Sequence, residues 1–495
     1  MKRIIILTAG LLALAATGNA EPGRIDNSAL LPRIIPDPEV RLESLSPGAT
    51  ASPDWVKSLI IVEVNPSTAS PDRKLADMTA VLDHLAETGV NGVWITPIQE
   101  CRTYGGFGLH TVDPRLTGEK EIPKRWARVR AFVEQAHRRN IRVFFDVISW
   151  GVTYRNNGGA PLYKQKPEWF GPALKQWNGW SWNWDNAELR EWYASRLVDM
   201  ILMTGADGFR CDCAPAYAGY EPFRIARQRL LNFGRKVIFI SERASSRKGV
   251  FDFDQLAFQK NNDRSPRARR WVGEAFLEGN IVDMIKNGDE LVARDSDVEP
   301  GGFRYYAYQL TCHDSPRFIS NGSPIVFGYQ ALFSPFIPLW FLGEEWNNPR
   351  TVKPNAWSYI NPVDWKARDQ APNRDFFELV KRMIRIRRSY PEIFEYFPAR
   401  VKDSNICKVE TDQKGRLQAY ARYRNGQAVL IVPNDGKTAE KFRISIPRRA
   451  AGITSSSVTV LNLLNERRLF SGKPATFEAE IPAGMLGVYL VEPAK

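Results

Sequence analysis

The alternation of apolar runs with helical patterns is the feature that most restricts the fold of this sequence. Residues 59–64 form an apolar strand pattern, residues 72–87 have helical periodicity, and a second strand pattern at residues 92–96 begins about 33 residues after the first. Further strand patterns follow, most of them separated by helical segments, at residues 141–148, 206–212, 237–241, 305–311 and 336–342. Strands that alternate with helices predict a parallel sheet.

About 300 residues of this alternation suit a closed (β/α)8 TIM barrel with insertions, and an open doubly wound sheet is the alternative. No Gly-x-Gly-x-x-Gly follows the first strand pattern and no Gly-x4-Gly-Lys-Ser/Thr loop occurs, so nucleotide binding lacks support. Beyond about residue 396 the pattern changes to short strands with polar turns. The predicted fold class is therefore α/β, a TIM barrel with a small insertion after strand 3 and a C-terminal all-β sandwich.

We predict four segments in the chain. Residues 1–20 form a signal peptide, 21–55 an N-terminal extension, 56–395 the catalytic barrel with its insertion at 149–185, and 396–495 the β-sandwich. The leader begins with Lys2 and Arg3, continues as an apolar run and ends in small residues, an order typical of secretory signals. Its apolar run is shorter than the roughly 20 residues of a membrane span. We expect a secreted or periplasmic protein with no membrane span.

Composition and charge exclude several other classes of protein. Five cysteines in 495 residues are too few for a disulfide scaffold, and we expect Cys211 and Cys213 to be unlinked. The formal net charge of +13 raises the question of a nucleic-acid partner. The basic residues, however, occur mostly as short groups in predicted helices, where solvated helix faces explain them better. We predict no nucleic-acid partner, and an anionic glycan and the oligomeric state are left open.

Carboxylates recur where predicted strands end, at Asp146, Asp212, Glu242 and Asp314. Glu242 follows Asp212 by 30 residues, about one strand-helix unit, and Asp314 follows Glu242 by 72, about two units. A helix cap or a surface charge is the usual explanation of one such residue. A barrel, however, brings the carboxyl ends of its strands into one ring, where barrel enzymes hold their active sites. The spacing therefore predicts carboxylates that converge on one pocket.

Converging carboxylates suit glycoside hydrolysis, in which one acts as nucleophile or base and another donates a proton. Arg210 and Asp212 lie two residues apart in a predicted strand, so both side chains point to the same side. A guanidinium at that position favours the ionised carboxylate that a nucleophile requires. A purely structural ion pair would have the same spacing.

Five ordered segments resemble the motifs of the α-amylase family, glycoside hydrolase family 13. They are similar to the second, third, fourth, fifth and seventh barrel strands of that family and lie at residues 91–97, 143–147, 205–212, 237–242 and 310–314. The resemblance extends from about residue 58 to the end of the chain. It implies that Asp212 is the nucleophile, that Glu242 is the acid/base and that Asp314 stabilises the transition state. It also implies substrate contacts by His313 and by Tyr104.

The third motif departs from the family pattern. After Asp146 the family usually has three residues and then Asn-His, where this chain has Trp150 and Gly151. The resemblance links that Asn to calcium and that His to substrate, so we predict no cofactor and no metal site, with calcium left in doubt. Seven of the 15 tryptophans lie between residues 150 and 192. Indoles stack on sugar rings, which makes Trp150 a candidate substrate contact, and a Trp-rich mini-core is the alternative.

The predicted function is a secreted retaining α-glycoside hydrolase that acts on α-glucan-like oligo- or polysaccharides through a covalent glycosyl-enzyme. For this mechanism the carboxyl groups of Asp212 and Glu242 should lie roughly 5 to 5.5 Å apart. Two alternatives remain, a transglycosylase with the same site and a non-catalytic carbohydrate-binding protein with the same barrel. A serine-hydrolase triad is weak, because only His110 and His313 lie in suitable loops and no Gly-x-Ser-x-Gly occurs.

Overall fold

The computed structural model describes most of the chain from residue 52 onward. The described residues are 52–70, 72, 74–75, 78–99, 111–153, 159–214, 219–242, 250–257, 305–314, 320, 322–333, 337–349, 361–394, 405–413 and 417–494. The predicted leader, Tyr104 and His110 lie outside them. Within these ranges, the model has no helix that combines the length and the apolar character needed to cross a membrane.

Eight parallel strands close into a barrel, as predicted. Their order around the barrel is β1-β11-β10-β9-β8-β7-β3-β2. They span Ile61–Val64 (β1), Gly92–Ile95 (β2), Arg142–Ile148 (β3), Gly208–Asp212 (β7), Ile238–Ser241 (β8), Phe253–Ala257 (β9), Tyr305–Gln309 (β10) and Ile337–Phe341 (β11). The sequence patterns indicated all of these strands except β9, which reads Phe-Asp-Gln-Leu-Ala and has no apolar run.

Strands β1, β2, β8 and β11 are buried on both faces, which explains their nearly continuous apolar sequences. The exceptions are polar residues inside the barrel, and pairing places several of them next to one another. Glu63 of β1 is in register with Trp94 of β2, and Asp146 of β3 is in register with Arg210 of β7. These four side chains contribute to the candidate active site described below.

Helices connect the strands and pack their apolar sides against the barrel. The helix Ala187–Thr204 shows how its ends are set, because the side chain of Asn186 accepts a hydrogen bond from the Leu189 amide and Gly205 ends the helix at φ 77°. The described α-helices are Pro66–Ala69, Thr79–Thr88, Pro114–Thr117, Ile122–Arg138, Gly159–Gln165, Ala187–Thr204, Glu221–Asn232, Pro324–Gly328, Trp365–Arg368, Asn373–Ser389 and Pro391–Phe394. Short 3-10 helices lie at Asp54–Ser58, Pro167–Trp169, Lys175–Trp177 and Glu344–Trp346, and a π-helix at Tyr329–Phe333.

A small antiparallel sheet follows β3. Its strands are Gly151–Thr153 (β4), Phe170–Leu174 (β5) and Gly179–Trp182 (β6), in the order β4-β6-β5. A Cβ at Gly151 would lie 1.9 Å from the carbonyl oxygen of Trp180, so the close pairing of β4 with β6 requires glycine at this position. This sheet is the insertion that the sequence predicts after the third strand.

The C-terminal region is a two-layer β structure. A six-stranded sheet has the order β12-β13-β14-β19-β16-β17, and a two-stranded sheet pairs β15 with β18. An apolar cluster joins the two layers, and the opposite face of the larger sheet joins the core cluster of the barrel. The strands are Ile406–Val409 (β12), Ala419–Arg424 (β13), Gln427–Pro433 (β14), Glu440–Ser445 (β15), Val458–Asn462 (β16), Arg467–Gly472 (β17), Thr476–Ile481 (β18) and Leu486–Pro493 (β19). The predicted fold class is confirmed, whereas the exact domain boundaries stay predictions.

Candidate active site

Asp212 and Glu242 meet at the carboxyl-terminal mouth of the barrel. Asp212 is the last residue of β7, and Glu242 follows directly after β8. One carboxylate oxygen of each and the sulfur of Cys213 all lie within 4.8 Å of one another. The backbone amide of Cys213 donates to Oε2 of Glu242 over 2.5 Å. The structure thus brings together the two residues that the sequence predicts as nucleophile and acid/base.

Arg210 lies beneath this pair and is only 1% exposed. Its Nη1 donates to Asp212 over 2.7 Å and lies 3.2 Å from Oδ2 of Asp146, while its Nη2 is 3.4 Å from Glu242. The predicted contact between Arg210 and Asp212 is therefore present. One guanidinium, however, faces three carboxylates, so the centre has more negative than positive groups.

This imbalance changes the expected protonation of Asp212. Burial, followed by the nearby charges of Glu242 and Asp146, raises its pKa from 3.8 to about 7, and Arg210 only partly opposes these effects. The sequence led us to expect that Arg210 keeps Asp212 ionised, but the other effects outweigh its charge. A proton held at this carboxylate pair near neutral pH suits chemistry that needs one acid and one base.

His313 and Asp314 lie on the other side of the barrel mouth, just after β10. The His313 side chain is buried, whereas that of Asp314 is 54% exposed, and Nε2 of His313 lies 3.6 Å from Oδ1 of Asp314. The ring nitrogen Nδ1 of His313 lies 2.5 Å from Oε1 of Glu63. The exposed carboxylate of Asp314 and the adjoining imidazole are therefore placed to meet a ligand that enters the mouth.

A chain of hydrogen bonds inside the barrel links the two sides of the mouth. Nε of Arg210 donates to Gln255 over 3.0 Å, Gln255 donates to Gln309, and Gln309 donates to Glu63 over 3.2 Å. Glu63 then binds His313. Trp94 also contacts this group of residues. Its indole donates to Asp146 over 3.0 Å, and its ring lies 4.9 Å from the Arg210 guanidinium.

The sequence analysis missed Glu63, Gln255 and Gln309. Glu63 did carry a signal, because an acidic residue in the apolar strand Ile61–Val64 is costly to bury unless it has partners. Gln255 and Gln309 carried no comparable signal, since a neutral amide in a strand fits many environments. Their partnership depends on the closed barrel, in which β9 pairs with β10 and β11 alone separates β10 from β1.

The structure corrects the role predicted for Trp150. Its ring is 2% exposed and packs in an apolar cluster with Ile148 and Cys213, 4.7 Å from the ring of Trp177. A ring covered in this way has no face for a sugar. Trp177, which is only partly buried, forms the outer layer of the cluster. Tyr104, the other predicted aromatic contact, lies outside the described residues.

The residues do not fit calcium at the place where the resemblance implies it. Trp150 stands where the family has its Asn, and an indole in an apolar cluster offers no oxygen ligand. In the described part of the chain, one group of three metal-ligating side chains is present, formed by Asp212, Cys213 and Glu242. The guanidinium of Arg210 lies against both of those carboxylates and supplies a positive charge at this place.

Similar proteins were found by sequence, although no protein-family model matches the chain. A cyclomaltodextrinase of Geobacillus thermopakistaniensis is 20% identical over 89% of this chain and 78% of its own length. The α-amylase MalA of Haloarcula japonica is 22% identical over 83% of this chain, which spans 62% of that protein. Both relatives are longer than the segment that they share with this chain.

Solved structures share the fold over nearly their whole length. The noncanonic maltogenic α-amylase AmyB of Thermotoga neapolitana matches with a TM-score of 0.64 at 19% identity, over 88% of this chain and 99% of its own. The α-amylase of Geobacillus thermoleovorans, determined with acarbose, matches with a TM-score of 0.67 at 14% identity, over 89% and 99%.

The sequence relatives carry names from one family of enzymes, and five motifs of that family stand in order on strands of the barrel. Two of those motifs end in the carboxylates that meet beside Arg210. The chain is therefore similar in sequence and in fold to members of the α-amylase family of glycoside hydrolases, family 13.

Proposed function

We propose that this protein hydrolyses α-glucans with retention of anomeric configuration. The observation that carries the proposal is the approach of the Asp212 and Glu242 carboxylate oxygens to within 4.8 Å. Retaining glycosidases hold their two carboxyl groups about 5 to 5.5 Å apart, whereas inverting enzymes separate them by roughly 6.5 to 9.5 Å to admit a water. The approach of one oxygen of each carboxylate to within 4.8 Å is nearer to the retaining range and supports a covalent intermediate.

In the first step, a carboxylate oxygen of Asp212 attacks the anomeric carbon while the bond to the leaving oxygen breaks. Glu242 gives its proton to that oxygen, which yields a glycosyl-enzyme and a free alcohol. In the second step, Glu242 takes a proton from water, the water oxygen attacks the same carbon, and Asp212 leaves. Two inversions give net retention. The amide of Cys213, 2.5 Å from Oε2 of Glu242, fixes the orientation of that carboxyl group.

The proposed substrate class rests on the relatives and on the site. The sequence relatives include cyclomaltodextrinases and α-amylases, and one structure neighbour was determined with acarbose. The positions of the family's Asn and His, however, hold Trp150 and Gly151 here, and Trp177 covers Trp150. We therefore propose an α-glucan substrate whose contacts next to the third strand differ from those of starch-degrading relatives.

The leader sequence supports a further proposal, that the enzyme acts outside the cytoplasm. Residues 1–20 have the charged start, apolar centre and small-residue end of a secretory signal. Expression with this leader in a bacterial host, followed by N-terminal sequencing of the exported protein, should give a chain that begins at Glu21. Recovery of the intact leader from the cytoplasm would refute this proposal.

Product analysis tests the proposed reaction. α-1,4-, α-1,6- and mixed-linkage glucans, and an anionic glycan in view of the positive net charge, should be digested and followed by proton NMR before the products mutarotate. Initial release of the α-anomer supports retention, whereas the β-anomer overturns it. In ¹⁸O-labelled water a hydrolase places label in every new reducing end. Unlabelled, lengthened products would identify a transglycosylase, and the absence of any turnover would favour a binding protein.

Azide rescue distinguishes the roles of the two carboxylates. With an α-glucoside that carries an activated leaving group, Glu242→Ala should form an α-glycosyl azide, because azide attacks the intermediate on Asp212 without a general base. Asp212→Ala should instead form a β-glycosyl azide by direct displacement. The opposite products would exchange the two assignments. Cys213→Ala is the control, because it alters a neighbouring side chain, keeps both carboxylates and should form no azide product in excess of wild type.

A further inference from the structure

Glu63 is a buried acidic residue that the proposed reaction steps do not use. It lies in β1 between two valines and is 0% exposed. All of its hydrogen-bond partners are donors on one side of the barrel. Oε1 contacts Nδ1 of His313 at 2.5 Å, and Oε2 accepts from the His313 amide over 3.3 Å and from Gln309 over 3.2 Å. Burial raises the pKa of Glu63, and the charge and hydrogen bond of His313 oppose that rise, so a protonated imidazole at this contact favours the carboxylate form of Glu63.

The two oxygens of Glu63 hold one residue at two points. They bind both the ring and the backbone amide of His313, so the ring cannot rotate without loss of a charge-assisted hydrogen bond. The edge-on ring of Trp94, with its centroid 5.9 Å from the imidazole, packs on another side. Nε2 therefore stays directed toward Asp314, and the bond to Glu63 keeps the proton on Nδ1.

The groups that face His313 favour its charged form. Burial lowers its pKa, but the charges of Glu63 and Asp314 and the hydrogen bond to Glu63 outweigh burial and the opposing charge of Arg210, so that the pKa rises to about 9. From the described neighbours, β1 contributes Glu63, β7 contributes Arg210, and the segment after β10 contributes Asp314. Trp94 of β2 and Gln309 of β10 carry no charge.

We propose that Glu63 is a positioning residue that keeps His313 protonated and aims its Nε2–H at the sugar hydroxyls bound beside Asp314. This inference deepens the proposed hydrolase and rests on it for the identity of the ligand. In the transition state the donor from His313 and the acceptor Asp314 hold the distorted ring from one side of the mouth. Glu63 does not touch the substrate and acts only through His313.

A second histidine pair of the same molecule provides a matched control. His84 is also buried, and its Nε2 lies 2.8 Å from Oε1 of Glu345. The other ring nitrogen, Nδ1, lies 3.2 Å from Nη1 of Arg368, which can only donate. Nδ1 of His84 therefore acts as an acceptor, and Nε2 faces Glu345. This pair lies against the side chains of Trp346 and Phe377 and is not part of the chain of hydrogen bonds described from Arg210 to His313.

The first test compares the pH dependence of kcat/KM in Glu63→Gln and Glu345→Gln. If loss of the Glu63 charge lowers the His313 pKa from about 9 to its ordinary 6.5, the protonated fraction at pH 8 falls about 30-fold. Glu63→Gln should therefore lose about 30-fold in kcat/KM at pH 8 relative to its value at pH 6, mainly in kcat. Glu345→Gln should keep the wild-type profile, whatever its stability. Identical profiles for both variants would overturn the proposal.

The second test does not depend on activity. The chain has four histidines, so ¹⁵N-histidine labelling gives four imidazoles to follow by NMR, with His313→Asn to assign the signal of His313. In the wild-type protein this signal should remain that of an imidazolium up to about pH 9. Titration of His313 near pH 6.5 would overturn the proposal even if Glu63→Gln fails to fold. If His313 is an imidazolium but the protein is inactive, the result would support the proposed role of Glu63 toward His313. It would count only against the proposed hydrolase activity.

Discussion

Arg210 and Arg227 are both buried arginines of the barrel, yet their surroundings differ in charge. Arg227 binds one carboxylate, Asp252, through two hydrogen bonds of 2.6 and 2.8 Å, and also donates to the carbonyl oxygen of Val250. Arg210 lies within 3.4 Å of three carboxylates, those of Asp146, Asp212 and Glu242. The first set is balanced and the second has an excess of negative charge.

This difference in charge indicates that the Arg227 pair stabilises the fold, whereas the group around Arg210 takes part in the proposed reaction. In the balanced pair, removal of one partner leaves an uncompensated buried charge. In the crowded centre, removal of one carboxylate relieves repulsion, because two others remain for Arg210. The same substitution, Asp to Asn, should therefore have opposite consequences at the two places.

The largest expected effect is on activity. Asp212→Asn should lower kcat by roughly 10⁴-fold or more, because the amide cannot form the glycosyl-enzyme. Asp252→Asn should keep near-wild-type kcat per folded molecule at a temperature where it is folded. Steady-state rates per folded molecule, with the folded fraction measured by circular dichroism, measure both. Substantial turnover by Asp212→Asn would show that Asp212 is not the nucleophile.

The next effect is on stability and has the reverse order. Asp252→Asn should lower the free energy of unfolding by about 3 to 5 kcal/mol, because Arg227 keeps its charge in a buried site. Asp212→Asn should unfold at or above the wild-type denaturant concentration. Urea titrations followed by tryptophan fluorescence and circular dichroism measure the difference. Equal losses in the two variants would show that the surroundings of Arg210 are balanced after all.

A pH series sharpens the comparison further. Because the folded-state pKa of Asp212 is raised from 3.8 to about 7, the native state binds the extra proton between these values, and stability falls as pH rises from 4 to 7. Asp212→Asn removes this loss, so its advantage over wild type should grow across that range to the order of 1 to 4 kcal/mol. Unfolding at pH 4, 5.5 and 7 measures it. Cys213→Ala, which changes no carboxylate, should keep the wild-type slope.

The sequence was sufficient for those parts of the site that follow from strand periodicity. A period of two predicted that Arg210 and Asp212 point the same way, and the 2.7 Å contact agrees. The order of the strand-end acids predicted that Asp212 and Glu242 meet. Glu63, by contrast, lies some 180 residues before Glu242 along the chain, so the order of the strand-end acids did not include it. It reaches His313 only because β1 closes the barrel against β11.

Burial of long side chains was the other property that the sequence did not reveal. Arg125 and Arg387 belong to basic groups that we expected on solvated helix faces, yet both are buried. Arg125 donates to backbone carbonyls of residues 112, 119 and 120, and Arg387 to those of residues 331 and 394. Helical periodicity cannot distinguish such an arginine from a solvated one, because its carbonyl partners lie outside its own helix. The sequence also could not show which of Trp150 and Trp177 is buried and which is partly exposed.

The smallest expected effect concerns aromatic rings. It tests whether a ring near the barrel mouth contributes to substrate binding while a ring elsewhere in the insertion does not. Trp177 covers Trp150 in the cluster that contains Cys213, the neighbour of the nucleophile, whereas Trp180 stacks on Tyr163 at 4.5 Å. Trp177→Ala should raise KM about 5-fold with little change in kcat, as expected for the loss of one stacking face worth about 1 kcal/mol. Trp180→Ala should leave KM within about twofold. A larger effect of Trp180→Ala would place the sugar contact on the outer side of the insertion instead.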